Sequence, residues 1–119
     1  NIFNNYSENT KINMNLHDNN GFTALMIASC NNNFIIVKLL LKYKNIFDLS
    51  SLCKINLQNK FTKNTALIYA CNKGYYNIVK LLLYYKADLD LKNKKNDTAL
   101  SISYNNNFLN IINLLKKYK

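Results

Sequence analysis

An all-α helical solenoid is the fold class this sequence predicts, and three observations carry the prediction. The trio Thr-Ala-Leu occurs three times, at Thr23-Ala24-Leu25, Thr65-Ala66-Leu67 and Thr98-Ala99-Leu100. Each copy is followed at a fixed interval by a leucine-rich run, since 16 positions separate Thr23 from Leu39, Thr65 from Leu81 and Thr98 from Leu114. The second and third trios lie 33 residues apart, and self-similarity near that period marks stacked helix pairs.

In chain order, residues 1–13 carry Asn, Ser and Thr throughout and read as a flexible lead or the frayed end of a preceding repeat. A repeat domain is expected over 14–119, with repeats at about 18–54, 59–92 and 93–119. The middle copy shows the logic of one unit. Thr65 can accept a hydrogen bond from an orphan backbone N–H and so cap a helix, a role worth about 1 kcal/mol. The first helix then runs from about Ala66 to Lys73, with Leu67, Ile68, Ala70 and Cys71 at helical spacing. Ala70 is small enough to admit a neighbouring helix. The second helix, near Tyr76 to Tyr85, presents Ile78, Val79, Leu81, Leu82 and Leu83. One such pair cannot bury its own apolar face, so copies must stack, and three are about the minimum.

The turn residues fix the register. Gly21 falls in the hairpin before Thr23 and Gly74 between two helices, both places where the chain needs positive φ. The equivalent positions hold Asn96 in the third hairpin and Asn32 and Asn107 at the helix junctions, and Asn is the usual second choice for left-handed geometry.

Written out, the units DNNGFTALMIASCNNNFIIVKLLL, NKFTKNTALIYACNKGYYNIVKLLL and NKKNDTALSISYNNNFLNIINLLK resemble ankyrin repeats. The likeness lies in the turn with Thr before a short helix, in the small-residue positions Ala28-Ser29, Ala70-Cys71 and Ser103-Tyr104, and in the closing apolar runs. The family pattern places Pro after the Thr, where Ala24, Ala66 and Ala99 stand here, and His two residues further on, where Met26, Ile68 and Ser101 stand. The resemblance implies an ankyrin-type array of helix-turn-helix units joined by hairpin loops. It also implies a non-catalytic protein-binding module whose partner face is the concave one, made by hairpin tips and the ends of the first helices. That face would comprise Asn19, Asn20, Phe22, Cys30 and Asn31 from the first unit. The second contributes Lys60, Phe61, Thr62, Lys63, Asn64, Asn72 and Lys73, and the third Lys94, Lys95, Asp97, Asn105 and Asn106. Phe22 and Phe61 are aromatics on polar tips, open to use as apolar anchors or to packing on the adjacent hairpin. Tyr75, Tyr76, Tyr84 and Tyr85 belong to the second helix and read as packing.

Composition narrows the function classes. The chain carries a formal net charge of +10, and all 16 of its basic residues are lysine. A partner with an acidic surface is the expectation, with the lysines of the second and third tips steering it. Electrostatic binding of nucleic acid or another polyanion is the alternative, weakened because arginine supplies the bidentate fork for phosphates and guanine edges and lysine only a point charge. Abundant Asn, Lys, Ile, Tyr and Phe also match the bias of an AT-rich genome. Cys30, Cys53 and Cys71 form no C-x-x-C pair, His17 stands alone in a connector where Gln58 and Lys92 are its counterparts, and Glu8 is the sole glutamate. Neither a catalytic constellation nor a metal or cofactor site is expected. No apolar run approaches the roughly 20 residues of a membrane helix. The expectation is an intracellular, cytoplasmic monomer; the opening on Asn1 fits a segment of a longer ankyrin array or a trimmed chain.

One irregularity remains. Thr23 and Thr65 lie 42 residues apart, nine more than the next period. Anchoring on MNLHD, INLQN and LDLKN puts eight extra residues between Leu41 and Ile55 and the ninth in the second hairpin. The insertion near 42–54 contains Ile46, Phe47, Leu49 and Leu52. It either lengthens the second helix and folds back on the stack or forms a partner-facing bulge, and self-packing is favoured because exposed apolar loops are a liability.

Overall fold

A computed structural model describes residues 13–43 and 52–119. Residues 1–12 of the lead and the centre of the insertion, with Ile46, Phe47 and Leu49, lie outside the described residues. Among the described residues six helices form three antiparallel pairs: α1 (Ala24–Cys30) with α2 (Phe34–Lys42), α3 (Ala66–Lys73) with α4 (Tyr76–Tyr84), and α5 (Ala99–Asn105) with α6 (Leu109–Lys117). The described residues contain no named strand, only an isolated antiparallel bridge between His17 and Thr23.

Each first helix starts at its threonine. Thr23, Thr65 and Thr98 hold extended backbone and accept from the N–H of Met26, Ile68 and Ser101. In two units the residue at the family's His position returns the bond. The Thr98 N–H donates to Ser101 Oγ at 2.9 Å and the Thr23 N–H points to Met26 Sδ at 3.5 Å. Two different side chains thus close the same capping box. Ile68 carries no such acceptor.

The helix junctions close identically. With Asn32, Gly74 and Asn107 at φ 56, 76 and 58°, the N–H of Asn33, Tyr75 and Phe108 reaches back to the carbonyls of Ala28, Ala70 and Ser103 at 2.9, 3.0 and 3.1 Å. This backbone closure satisfies carbonyls that a helix end leaves free. It also swings the chain back on itself, so each second helix lies against its own first helix.

The first helices form one layer, α1 on α3 on α5, and the second helices another. Ala66, Ala70, Ala99 and Ser103 are buried where the first helices meet. Their small side chains allow the first helices to approach closely. Ile78, Leu82, Ile111 and Leu115 fill the space between layers at 0–1 % exposure. Leu81 is half-buried. In the first unit Ile36 and Leu39 stay 41 % and 60 % exposed although their counterparts Ile78 and Leu81 are buried and half-buried.

The insertion does not lengthen α2. That helix ends at Lys42, and Tyr43 turns extended at φ −60°, ψ 128°. The returning limb is tied to the preceding connector, where Asn15 Nδ2 donates to the Leu52 carbonyl at 2.9 Å and the Lys54 N–H donates to Asn15 Oδ1 at 2.7 Å. Cys53 and Ile55 pack against the core. Asn56 repeats the device one unit on, accepting from the Asp88 N–H at 2.8 Å.

Candidate partner-binding groove

Each hairpin tip is organised by one short acceptor side chain. Asp18 Oδ1 accepts from the N–H of Asn20 and Phe22, Asn59 Oδ1 from Phe61 and Thr62, and Asn93 Oδ1 from Lys95 and Asp97. Such side chains mimic a backbone turn. The extra residue of the second tip is absorbed at Lys63, which takes φ 61° while its N–H donates to the Asn59 carbonyl at 2.7 Å.

The tips are also tied to one another. Asn59 Nδ2 donates to the Asn20 carbonyl at 3.1 Å, the Lys94 N–H to the Thr62 carbonyl at 2.8 Å, and Asn93 Nδ2 to Asn64 Oδ1 at 2.9 Å. Gln58 Nε2 bridges the carbonyls of Lys63 and Lys92, 2.9 Å from each. Gln58 therefore ties the second tip to the connector of the third unit. Its counterpart His17 is exposed, with ring Nδ1 3.1 Å from the Asp18 carbonyl oxygen.

Between the second and third tips and the ends of α3 and α5 lies a groove of about 430 Å³. It brings together nine of the residues singled out from the sequence, Phe61, Thr62, Asn64, Asn72, Lys94, Lys95, Asp97, Asn105 and Asn106. Asn93, Ile68 and Ile102 complete it. Sequence reasoning missed the last three. Ile68 read as core from its helical spacing, yet from 1 % exposure it lines the groove floor together with Ile102 at 8 %. Asn93 had a signal, because Asp18, Asn59 and Asn93 occupy the same place in the connector segments.

The other candidates lie around this groove. Lys60 and Lys63 are exposed on the second tip, with Lys60 Nζ 5.0 Å from the centre of the Phe61 ring. Phe61 is 54 % exposed. Phe22 is half-buried instead and stacks on Tyr69, centroids 5.2 Å apart at 27°, so it packs one tip against the next unit. Asn19, Asn20 and Asn31 are exposed in the first unit and Lys73 in the last turn of α3. Asp97 is half-buried and accepts from Ser101 Oγ at 3.2 Å.

The thiols are held neutral. Burial pushes Cys71 up to about 12 against a bond from Ser103, and Cys53 up to about 11. Burial also raises Cys30, and the Lys73 ammonium offsets part of the rise. None of the three thiols is a low-pKa nucleophile, and no group of three metal-binding side chains occurs among the described residues. No described helix is long and apolar enough to cross a membrane.

A family model described as ankyrin repeats, three copies, matches residues 3–93 and again 45–119, which together take in nearly the whole chain. The chain belongs to the ankyrin repeat family. No curated protein compared with it matches. Ankyrin repeats mediate protein–protein interaction and are typically non-catalytic modules.

Proposed function

We propose that this ankyrin array binds an acidic protein surface through its concave face, with Lys60, Lys63, Lys94 and Lys95 steering the encounter and Phe61 as apolar anchor. The observation that carries this reading is the groove, where lysines, carboxamides and an exposed aromatic converge over an apolar floor. The charge is uneven along the face. The first tip holds Asn19 and Asn20 where the later tips hold lysines, so the acidic part of the partner sits towards the third unit. Phe61 matches the aromatic anchors that dominate interface energetics, and the ammonium of Lys60 beside it keeps the ring oriented.

The test is kinetic. A partner captured with the intact array is measured against the variant Lys60→Glu, Lys63→Glu, Lys94→Glu, Lys95→Glu and against Phe61→Ala. The fourfold reversal slows association by about 10–100-fold in low salt, because charge acts chiefly on encounter. Phe61→Ala mainly speeds dissociation. Both variants melt like the parent, since these side chains are exposed. An unchanged association rate in the reversed variant would remove the lysines from the binding face.

A further inference from the structure

We infer that the groove takes an extended acidic peptide segment and reads its main chain as well as its charge. This rests on the proposal that the concave face holds the partner, and adds what that partner presents there. The argument comes from which amide atoms are already used. Asn106 Nδ2 donates to the Ile102 carbonyl at 3.0 Å and to Asn72 Oδ1 at 3.2 Å. Only the nitrogen can donate to a carbonyl, so the rotation of the Asn106 carboxamide is fixed, both its hydrogens are engaged, and Oδ1 is left over. Asn72 must in turn offer its oxygen to Asn106, which leaves Nδ2. The pair therefore sets one donor beside one acceptor, the complement of the C=O and N–H along the edge of an extended chain.

A second pair repeats the logic across the groove. Asn93 Oδ1 is held by the N–H of Lys95 and Asp97, so its Nδ2 faces Asn64 Oδ1 at 2.9 Å and Asn64 Nδ2 is left over. All four carboxamides line the groove, with Lys94 and Lys95 beside them. Within the two pairs the free donors, Nδ2 of Asn64 and of Asn72, outnumber the free acceptor, Asn106 Oδ1, and Lys94 and Lys95 outweigh the Asp97 carboxylate, which already accepts from Ser101 Oγ; this suits a ligand rich in carbonyls and carboxylates. Because partner amides already hold each carboxamide in place, little rotamer freedom is lost on binding. Ile68 and Ile102 beneath them accept a small apolar side chain. Single-stranded nucleic acid fits less well: its binders stack successive bases on aromatic faces, whereas the groove offers one aromatic, Phe61, with Lys60 against its ring.

The probes are fluorescein-labelled hexapeptides that combine Asp or Glu with one Leu or Val, read by anisotropy against the full chain in low salt. At least one binds, and its Asn/Gln counterpart does not. Methylating one backbone nitrogen of that peptide weakens it about tenfold, the size of one lost hydrogen bond in a preorganised site. Asn72→Ala and Asn106→Ala give a similar loss, and in the Asn106→Ala chain the methyl group has no further effect. Asn72→Ala, at an exposed position, keeps the test valid if loss of the Asn106 cap loosens α5. Binding that depends on charge yet ignores both the methyl scan and the Asn substitutions overturns main-chain reading and leaves the acidic-partner proposal standing. Binding that also survives Lys94→Glu with Lys95→Glu overturns both. Failure of every acidic hexapeptide, or displacement of the bound peptide by oligo(dT) with the same dependence on Asn72, overturns the inference.

Discussion

Gly74 links backbone geometry to packing in a way that can be measured. It sits at φ 76°, and a Cβ built there would lie 2.8 and 2.9 Å from Cζ and Cε1 of the Phe108 ring in the next unit. Gly74→Ala therefore carries two separable costs. Left-handed backbone costs a non-glycine residue about 1–2 kcal/mol. Overpacking costs typically about 1–3 kcal/mol, here near the low end because the contacted atoms are the far edge of a half-buried ring that can swing. The sum is about 2–3 kcal/mol. Shortening the obstacle with Phe108→Leu should leave only the backbone part, about 1–2 kcal/mol. A double-mutant cycle by urea denaturation then gives a coupling of about 1 kcal/mol, above the roughly 0.3–0.5 kcal/mol by which independent sites fail to add. A third variant isolates the other term. Gly74→Asn recovers most of the backbone cost, because Asn32 and Asn107 already hold φ 56° and 58° at the equivalent junctions. Equal costs for Gly74→Ala with Phe108 and with Leu at that position would refute the claim that close packing between units, and not φ alone, selects glycine here.

Leu82→Ala removes a fully buried side chain from the middle unit and should cost about 2–5 kcal/mol in a denaturant melt, with all three units losing stability together. Ser29 is buried and its hydroxyl is the side-chain polar atom left without a partner among the described residues; Ser29→Ala should raise the thermal midpoint, by up to about 1–3 kcal/mol in stability. Since the Cys71 and Cys53 thiols are pushed up to about 12 and about 11, the folded chain keeps them protonated while an unfolded thiol ionises near 9. That contribution is complete below pH 9 and is lost as pH rises through the folded values. Melts between pH 9 and 11 should accordingly fall less steeply for Cys71→Ala than for the parent, and parallel slopes would contradict the assignment.

What the residues dictate locally could be read from the chain alone. Thr65 caps a helix that ends at Lys73 because a hydroxyl, an apolar stripe and a glycine stand at the right intervals, and all three act within a few residues of themselves. Asn96, Asn32 and Asn107 take left-handed backbone for the same reason. Lys63 and Lys86 take it too, at φ 61° and 67°, and no property of lysine announces this. There the hairpin and the end of α4 are held by bonds to Asn59 and Leu83, so surrounding structure overrides residue preference. The groove divides likewise. Its lysines and exposed asparagines were legible as polar residues at tip and helix-end positions. Which carboxamide oxygen faces which nitrogen, that Phe22 is used up against Tyr69 while Phe61 stays open, and that Ile68 forms a floor all depend on contacts between neighbouring units, and only the stacked tertiary structure decides them.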